Sequence, residues 1–188
     1  MFATILLPNF YLQAALRHRQ PELLPNDKDP SRPVALVDQE ENKPGISQLN
    51  EGAQAAGVRP GMTPSQGLAR CPGLCIISRS AVQEKALQEI LLQQAFTLSP
   101  LVEATAPGVC TVQFTDMRNL PEKVSRVLAQ LTALAVRAQA GLAPAPDTSF
   151  LAAHLARPLL QIDDAREFLA PLPLEILAID LASEFCRG

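Results

Sequence analysis

Two stretches with helical apolar spacing flank a proline-glycine hairpin, and that arrangement admits few folds. Ser80 can cap a long helix from Ala81 to about Leu98, along which Val82, Ala86, Leu87, Ile90, Leu91 and Phe96 recur. A second begins at Pro121 and runs to about Ala138, with Val124, Val127, Leu128, Leu131 and Leu134 on one side. Between them Val102 to Ala106 and Val109 to Phe114 alternate around Pro107-Gly108, the pattern of two strands joined by a tight turn.

The flanks complete the core. Phe2 to Leu7 reads as a strand and Pro8-Asn9 as a turn, followed by a helix from about Phe10 to Arg19 with Asn9 as its cap. A Pro- and Asp-rich loop, Pro21 to Arg32, leads to a short apolar strand from Pro33 to Val37, then to polar residues from Asp38 to Gly45. Leu74 to Ser78 and Gln139 to Ala143 read as strands. Asp147 can cap a helix ending at Pro158, Leu159 to Ile162 is a last short strand, and an acidic turn at Asp163-Asp164 opens a helical tail. With the region around residues 21–75 set aside, the order is strand, helix, hairpin, helix, strand. This is an α+β fold, a ferredoxin-like sheet with helices on one face and a small inserted subdomain.

That insert holds "LNEGAQAAGVRPGMTPSQGLARCPGL", two short helices over a Gly/Pro turn. Asn50 can cap the first, Gly57 can end it, and Thr63-Pro64 can start the second. Gly52 to Gln83 carries Arg59, Arg70 and Arg79 and no acid, in a chain of net charge −3. That balance does not look like a dedicated nucleic-acid binder's, so any basic face is local. The three arginines either meet DNA phosphates or form a solvated face whose acids lie elsewhere. As a DNA-reading helix-turn-helix, the pair has helices too short and a turn too long.

At 188 residues and 47% apolar, the chain suffices for one core with a small insert. No apolar run reaches the roughly 18 residues of a membrane span, and MFATILL lacks a signal peptide's basic flank. Cys71, Cys75, Cys110 and Cys186 read as reduced thiols of a cytoplasmic protein.

The stretch "RPVALVD…ISQLNEGAQAAGVRPGMTPSQGLARCPGL" resembles the fingers of Y-family (UmuC-like, translesion) DNA polymerases. "GLAPAPDTSFLAAHLARP" and "TLSPLVEATAPGVCTVQF" resemble palm segments of that family. The resemblance implies a palm over residues 1–20 and 76–165, fingers over 21–75, and a thumb beginning at 166–188 and apparently truncated. The family holds two Mg²⁺ ions with palm carboxylates, because that ion demands hard oxygen ligands. Here the first-strand match, Leu6-Leu7-Pro8-Asn9, carries no acid, and the hairpin's Asp-Glu pair aligns with Gly108 and Val109. Glu103 and Asp116 lie toward the hairpin's far ends. Where the family's fingers place a Tyr and an Arg on the triphosphate, this chain has Glu51 and Gln54, and the palm lysine falls near Pro146.

These departures are most like the ImuB group, polymerase-shaped proteins without catalytic acids. That likeness implies no catalytic residue, no metal and no cofactor. It implies an adaptor in SOS-type, damage-induced mutagenic repair, with an error-prone C-family DNA polymerase, an ImuA- or RecA-like protein and the sliding clamp as partners. The group normally continues through a little-finger domain and a clamp-binding tail, so ending at Gly188 points to a fragment, a truncated gene or a remnant. Two alternatives stay open: an active translesion polymerase with ligands drawn from Glu103, Asp116 or Asp147, or a structural α+β module without a DNA role.

Several residues have bland readings beside sharper ones. Cys71-Pro-Gly-Leu-Cys75 has tolerable metal spacing but no further ligands nearby, so packed thiols are expected. His18 and His154 each end a helix, where a partly cationic ring suits the dipole. No motif joins Ser149 or Ser80 to them as a triad. Phe10-Tyr11 matches the family's sugar-screening aromatic pair, and packing is its expected role here.

Overall fold

A computed structural model describes residues 1–17, 32–38 and 44–173. His18, Cys186, most of the expected loop from Pro21 to Arg32, the polar residues 39–43 and the tail beyond residue 173 lie outside the described residues. The chain divides into two compact units, one of Met1–Pro8 with the chain from Gln88 onward, the other of Asn9–Leu87.

The first unit is built on a five-stranded sheet in the order β5-β6-β1-β7-β8. Its strands are β1 (Phe2–Leu6), β5 (Val102–Ala106), β6 (Val109–Gln113), β7 (Gln139–Ala143) and β8 (Leu159–Gln161). β1 runs antiparallel between β6 and β7, pairing Leu6 with Val109 on one side and with Gln139 on the other. With α4 (Ala81–Phe96) before the hairpin and α5 (Leu120–Ala133) after it, this is the ferredoxin-like order, with β8 added parallel to β7.

Both faces of β1 are buried. α6 (Pro146–Leu155) lies on the face of Leu6 and Val109, where Ala153 and Phe150 pack against them. Gly141 permits this approach, since a Cβ there would run into the α6 backbone at Ser149, Ala152 and Ala153. Ala3, Ile5, Cys110, Val112 and Leu142 alternate onto the opposite face and are buried too. α5 lies against β7 and β8 and buries Val124, Val127, Leu128 and Leu131. The expected α+β layer therefore stands, and α6 is added to it.

The second unit has a three-stranded sheet in the order β3-β2-β4, from β2 (Val34–Asp38), β3 (Gly45–Leu49) and β4 (Cys75–Ser78). One face packs Ala35, Val37, Ile46 and Leu49 against Ala53, Val58 and Leu74. The other packs Val34, Leu36 and Ile77 against Leu12 and Ala15 of α1 (Phe10–Arg17). This sheet lies in the unit of Asn9–Leu87. α1 buries its apolar side in this unit, and β4 pairs in parallel with β2. β3 was not expected as a strand.

Local expectations fare unevenly. Asn50 caps α2 (Glu51–Ala55) by accepting the Ala53 N–H, and Gly57 follows with φ +84°. Thr63 and Gln66 form a reciprocal capping box at α3 (Pro64–Arg70). Asp147 does not cap α6, because the helix starts two residues earlier, at Pro146, with Ala145 at the cap. Asn9 takes a left-handed φ of 51°, and the Leu12 N–H in the first turn of α1 is met instead by Gln48 Oε1 at 2.9 Å. On α4 only part of the expected stripe is inside: Leu87 and Leu91 are fully buried, but Val82 is 79% and Phe96 55% exposed. Leu134, at the α5 cap, is exposed while Leu131 is buried. α7 (Ala165–Leu169) is capped by Asp164, which accepts the Arg166 and Glu167 N–H groups.

Candidate functional site

The palm floor lies where the end of β1 meets the β5-β6 turn. Leu6 faces Val109 in register, and the Leu7 N–H donates to Gly108 O at 2.8 Å. Leu6, Leu7 and Val109 are buried, with Ala106, Phe150 and Ala153 packed around Leu6 and Val109. The Gly108 N–H donates to Gln88 Oε1 at 2.7 Å. None of these side chains is a carboxylate, and the one oxygen among them, Gln88 Oε1, is taken by the Gly108 N–H, so the floor does not fit the paired ions of the family.

The acids of the relocated-ligand reading do not gather there. Glu103 is exposed on β5 opposite Thr111. Asp116 lies beyond the open end of the hairpin, paired with Arg118 at 3.4 Å and Lys123 at 3.5 Å. The Arg118 N–H, with smaller contributions from Lys123, holds its carboxyl below the usual range. Asp147 is exposed in the first turn of α6. Among the described residues no three His, Cys, Asp or Glu side chains group as a metal set.

A row of hydroxyls crosses this same sheet face. Thr105 and Thr111 are 2.9 Å apart, Thr111 and Thr4 3.3 Å, and Thr4 and Ser149 2.8 Å. Ser149 also donates to Pro146 O at 2.7 Å. Its hydroxyl is thus a buried tie between α6 and β1. His154 sits five residues on, about 140° round the helix, so it does not serve Ser149 as a base. Its ring stands edge-on to Phe150, centroids 4.6 Å apart, and burial lowers its pKa from the ordinary 6.5. Burial thus works against the partly cationic ring expected at the helix end.

In the second unit, Arg59 and Arg70 are exposed. Arg59 Nη1 bonds the carbonyls of Gln54 and Val58, fixing the guanidinium at the turn after α2. Arg79 is different. It forms paired bonds of 2.9 Å to Glu84 and a 3.1 Å bond to Asp38, and lies 3.9 Å over the Tyr11 ring. Its bond to Glu84 first, then that to Asp38, holds the guanidinium more firmly protonated than usual, against the effect of burial. The acid-free window of Gly52 to Gln83 concealed this, since both partners flank it in sequence. The legible signal was Glu84, five residues on; Asp38 at the end of an apolar strand was the one sequence reasoning missed.

Tyr11 packs edge-on to Phe10 at 5.3 Å. Glu51 and Gln54 are exposed on α2, with Glu51 in the first turn, where an acid suits the helix dipole. Cys71 is buried with the Ile46-Leu49 face of the sheet and Cys75 packs on the Leu36-Ile77 face, so the pair does not share a ligand. Cys71, Cys75 and Cys110 are free thiols.

The fold is similar to that of solved polymerases. Against the post-insertion binary complex of Dbh DNA polymerase the TM-score is 0.78 at 16% identity, covering 93% of this chain and 52% of the other. Against DinB from Sulfolobus solfataricus it is 0.73 at 14% identity, covering 94% and 53%. The chain spans about half the length of the solved polymerases it matches. No curated protein matches it in sequence. The sequence matches the family described as IMS, impB/mucB/samB, over residues 5–154. With most of its length so matched, and palm and fingers built as described, the chain belongs to the impB/mucB/samB family.

Proposed function

We propose that this chain is a non-catalytic Y-family polymerase-like module of the ImuB kind, an adaptor in translesion DNA synthesis and damage-induced mutagenic repair. The observation that carries the reading is the palm floor of Leu6, Leu7, Gly108 and Val109, which supplies no side-chain oxygen for divalent metal. The exposed Glu51 and Gln54 support it, since a carboxylate repels a triphosphate. Its partners are an error-prone C-family polymerase, an ImuA- or RecA-like protein and the sliding clamp. DNA is met weakly through Arg59 and Arg70. The compartment is the cytoplasm, and no helix among the described residues is long and apolar enough to cross a membrane.

Primer extension with Mg²⁺ or Mn²⁺ tests the reading. No nucleotide should be added to a primed template, while a C-family polymerase should co-purify with the chain. Addition lost in Glu103→Ala or Asp147→Ala would favour relocated acids instead. Neither DNA binding nor polymerase capture would leave a structural module.

A further inference from the structure

We propose that the Pro107-Gly108 turn is a latch, held by Gln88, that keeps the palm floor closed to divalent cations even when carboxylates are supplied there. This deepens the non-catalytic reading and rests on it. Missing acids alone would leave an open floor that substitution could refill. The turn described above is closed by its own bonds.

Pro107 followed by Gly108 at φ +72° is the residue pattern of a type II turn, in which the second position needs a left-handed residue. The Gly108 N–H is taken by Gln88 from α4, and its carbonyl by the Leu7 N–H from the end of β1. Both backbone groups of the residue aligned with an acid are therefore spent within the first unit. Next to it Val109 is fully buried against Leu6 and Ala153. A carboxylate at 109 would be desolvated without a partner, and any side chain at 108 would have to take the left-handed conformation that Gly108 holds at φ +72°. Gln88 is thus a positioning residue for the turn, and its effect on cation binding is indirect.

Two sets of variants test the latch. In thermal unfolding, Gln88→Met should lower Tm by about 2–6 °C, through loss of the acceptor for a buried N–H. Gly108→Asn should be tolerated better than Gly108→Ala, because Asn accepts the left-handed region more readily. Equal stability of Gly108→Ala and wild type would overturn the latch, as would an unchanged Gln88→Met. The second set restores acids: Gly108→Asp and Val109→Glu with either Leu6→Asp or Leu7→Asp, titrated with Mn²⁺ by calorimetry and circular dichroism. The expected result is no saturable Mn²⁺ binding, or a fold lost with and without Mn²⁺. Saturable binding, or a fold regained on adding Mn²⁺, overturns the proposal. Primer extension by wild type is read separately. If it occurs, the non-catalytic reading fails; if only the acid-bearing variants take Mn²⁺, the latch alone fails.

Discussion

Asn50 shows how much one side chain settles. Its Oδ1 accepts from Val34 N–H at 2.9 Å and Ala53 N–H at 3.0 Å, and its Nδ2 donates to Arg32 O at 2.7 Å. One amide thus caps α2, bonds the start of β2 and also donates to the Arg32 carbonyl, a combination that a carboxylate, lacking the NH₂ donors, could not complete. Asn50→Ala should cost about 1.5–3 kcal/mol, the lost cap at the Ala53 N–H plus the part-buried Val34 N–H left unmet. Asn50→Asp should cost less, losing only the donor to Arg32. Urea unfolding of both measures the difference. Arg79 works in the same way with charge. Arg79→Met keeps an unbranched apolar stem but takes the guanidinium from Asp38, Glu84 and the Tyr11 ring, and is expected to cost about 1–3 kcal/mol after allowance for its partial exposure. Arg70→Met, at an exposed site, should change stability by less than about 0.5 kcal/mol. A reversed order in chemical denaturation would remove the structural role given to Arg79.

α6 is the element whose fit is least forgiving. Gly141→Ala sets a methyl against the α6 backbone rather than against a movable side chain, and should cost about 2–4 kcal/mol, read as a fall in urea midpoint. The same helix makes stability depend on pH. Burial lowers the His154 pKa in the folded chain, so the unfolded chain binds the proton more tightly. This contribution is present in full above the ordinary pKa of 6.5 and is lost as pH falls through the lower, folded value. His154→Phe should flatten the decline between pH 7 and 5, and an unchanged slope would show that the ring stays solvated. How well the elements were legible follows from how local their causes are. The β5-β6 hairpin and β7 read correctly because alternation and a Pro-Gly turn lie within a few residues. β3 did not, because the register shift opposite Leu36 and Val37 brings Ile46 and Leu49, three residues apart, into one core, so its sequence shows no alternation. The α4 stripe was overread, since six apolar residues at helical spacing do not say where the neighbouring layer ends, and Val82 and Phe96 fall beyond it.

The whole molecule was legible in its ferredoxin-like sheet order, but less so in the extent of its two units and in its charge. The boundaries rest on parallel pairing of β2 with β4 and on α1 packing, contacts that no local pattern announces. The charge rests on a bond between residues 41 positions apart, Asp38 and Arg79. That bond changes the expectation for DNA. With three free arginines a salt slope near −2 to −3 would follow; with Arg79 neutralised, two phosphate contacts give about −1.4 to −1.8. Affinity for primed DNA should then fall roughly tenfold between 50 and 200 mM salt. Arg59→Ala with Arg70→Ala should bring the slope close to zero. Arg79→Ala, measured well below its unfolding temperature, should leave it unchanged, because a cation already matched by Glu84 and Asp38 releases no counterions from the duplex. Fluorescence anisotropy across a salt series measures all three slopes. If Arg79→Ala lowers the slope by about one unit, Arg79 leaves its carboxylates to meet DNA, and the basic face numbers three after all.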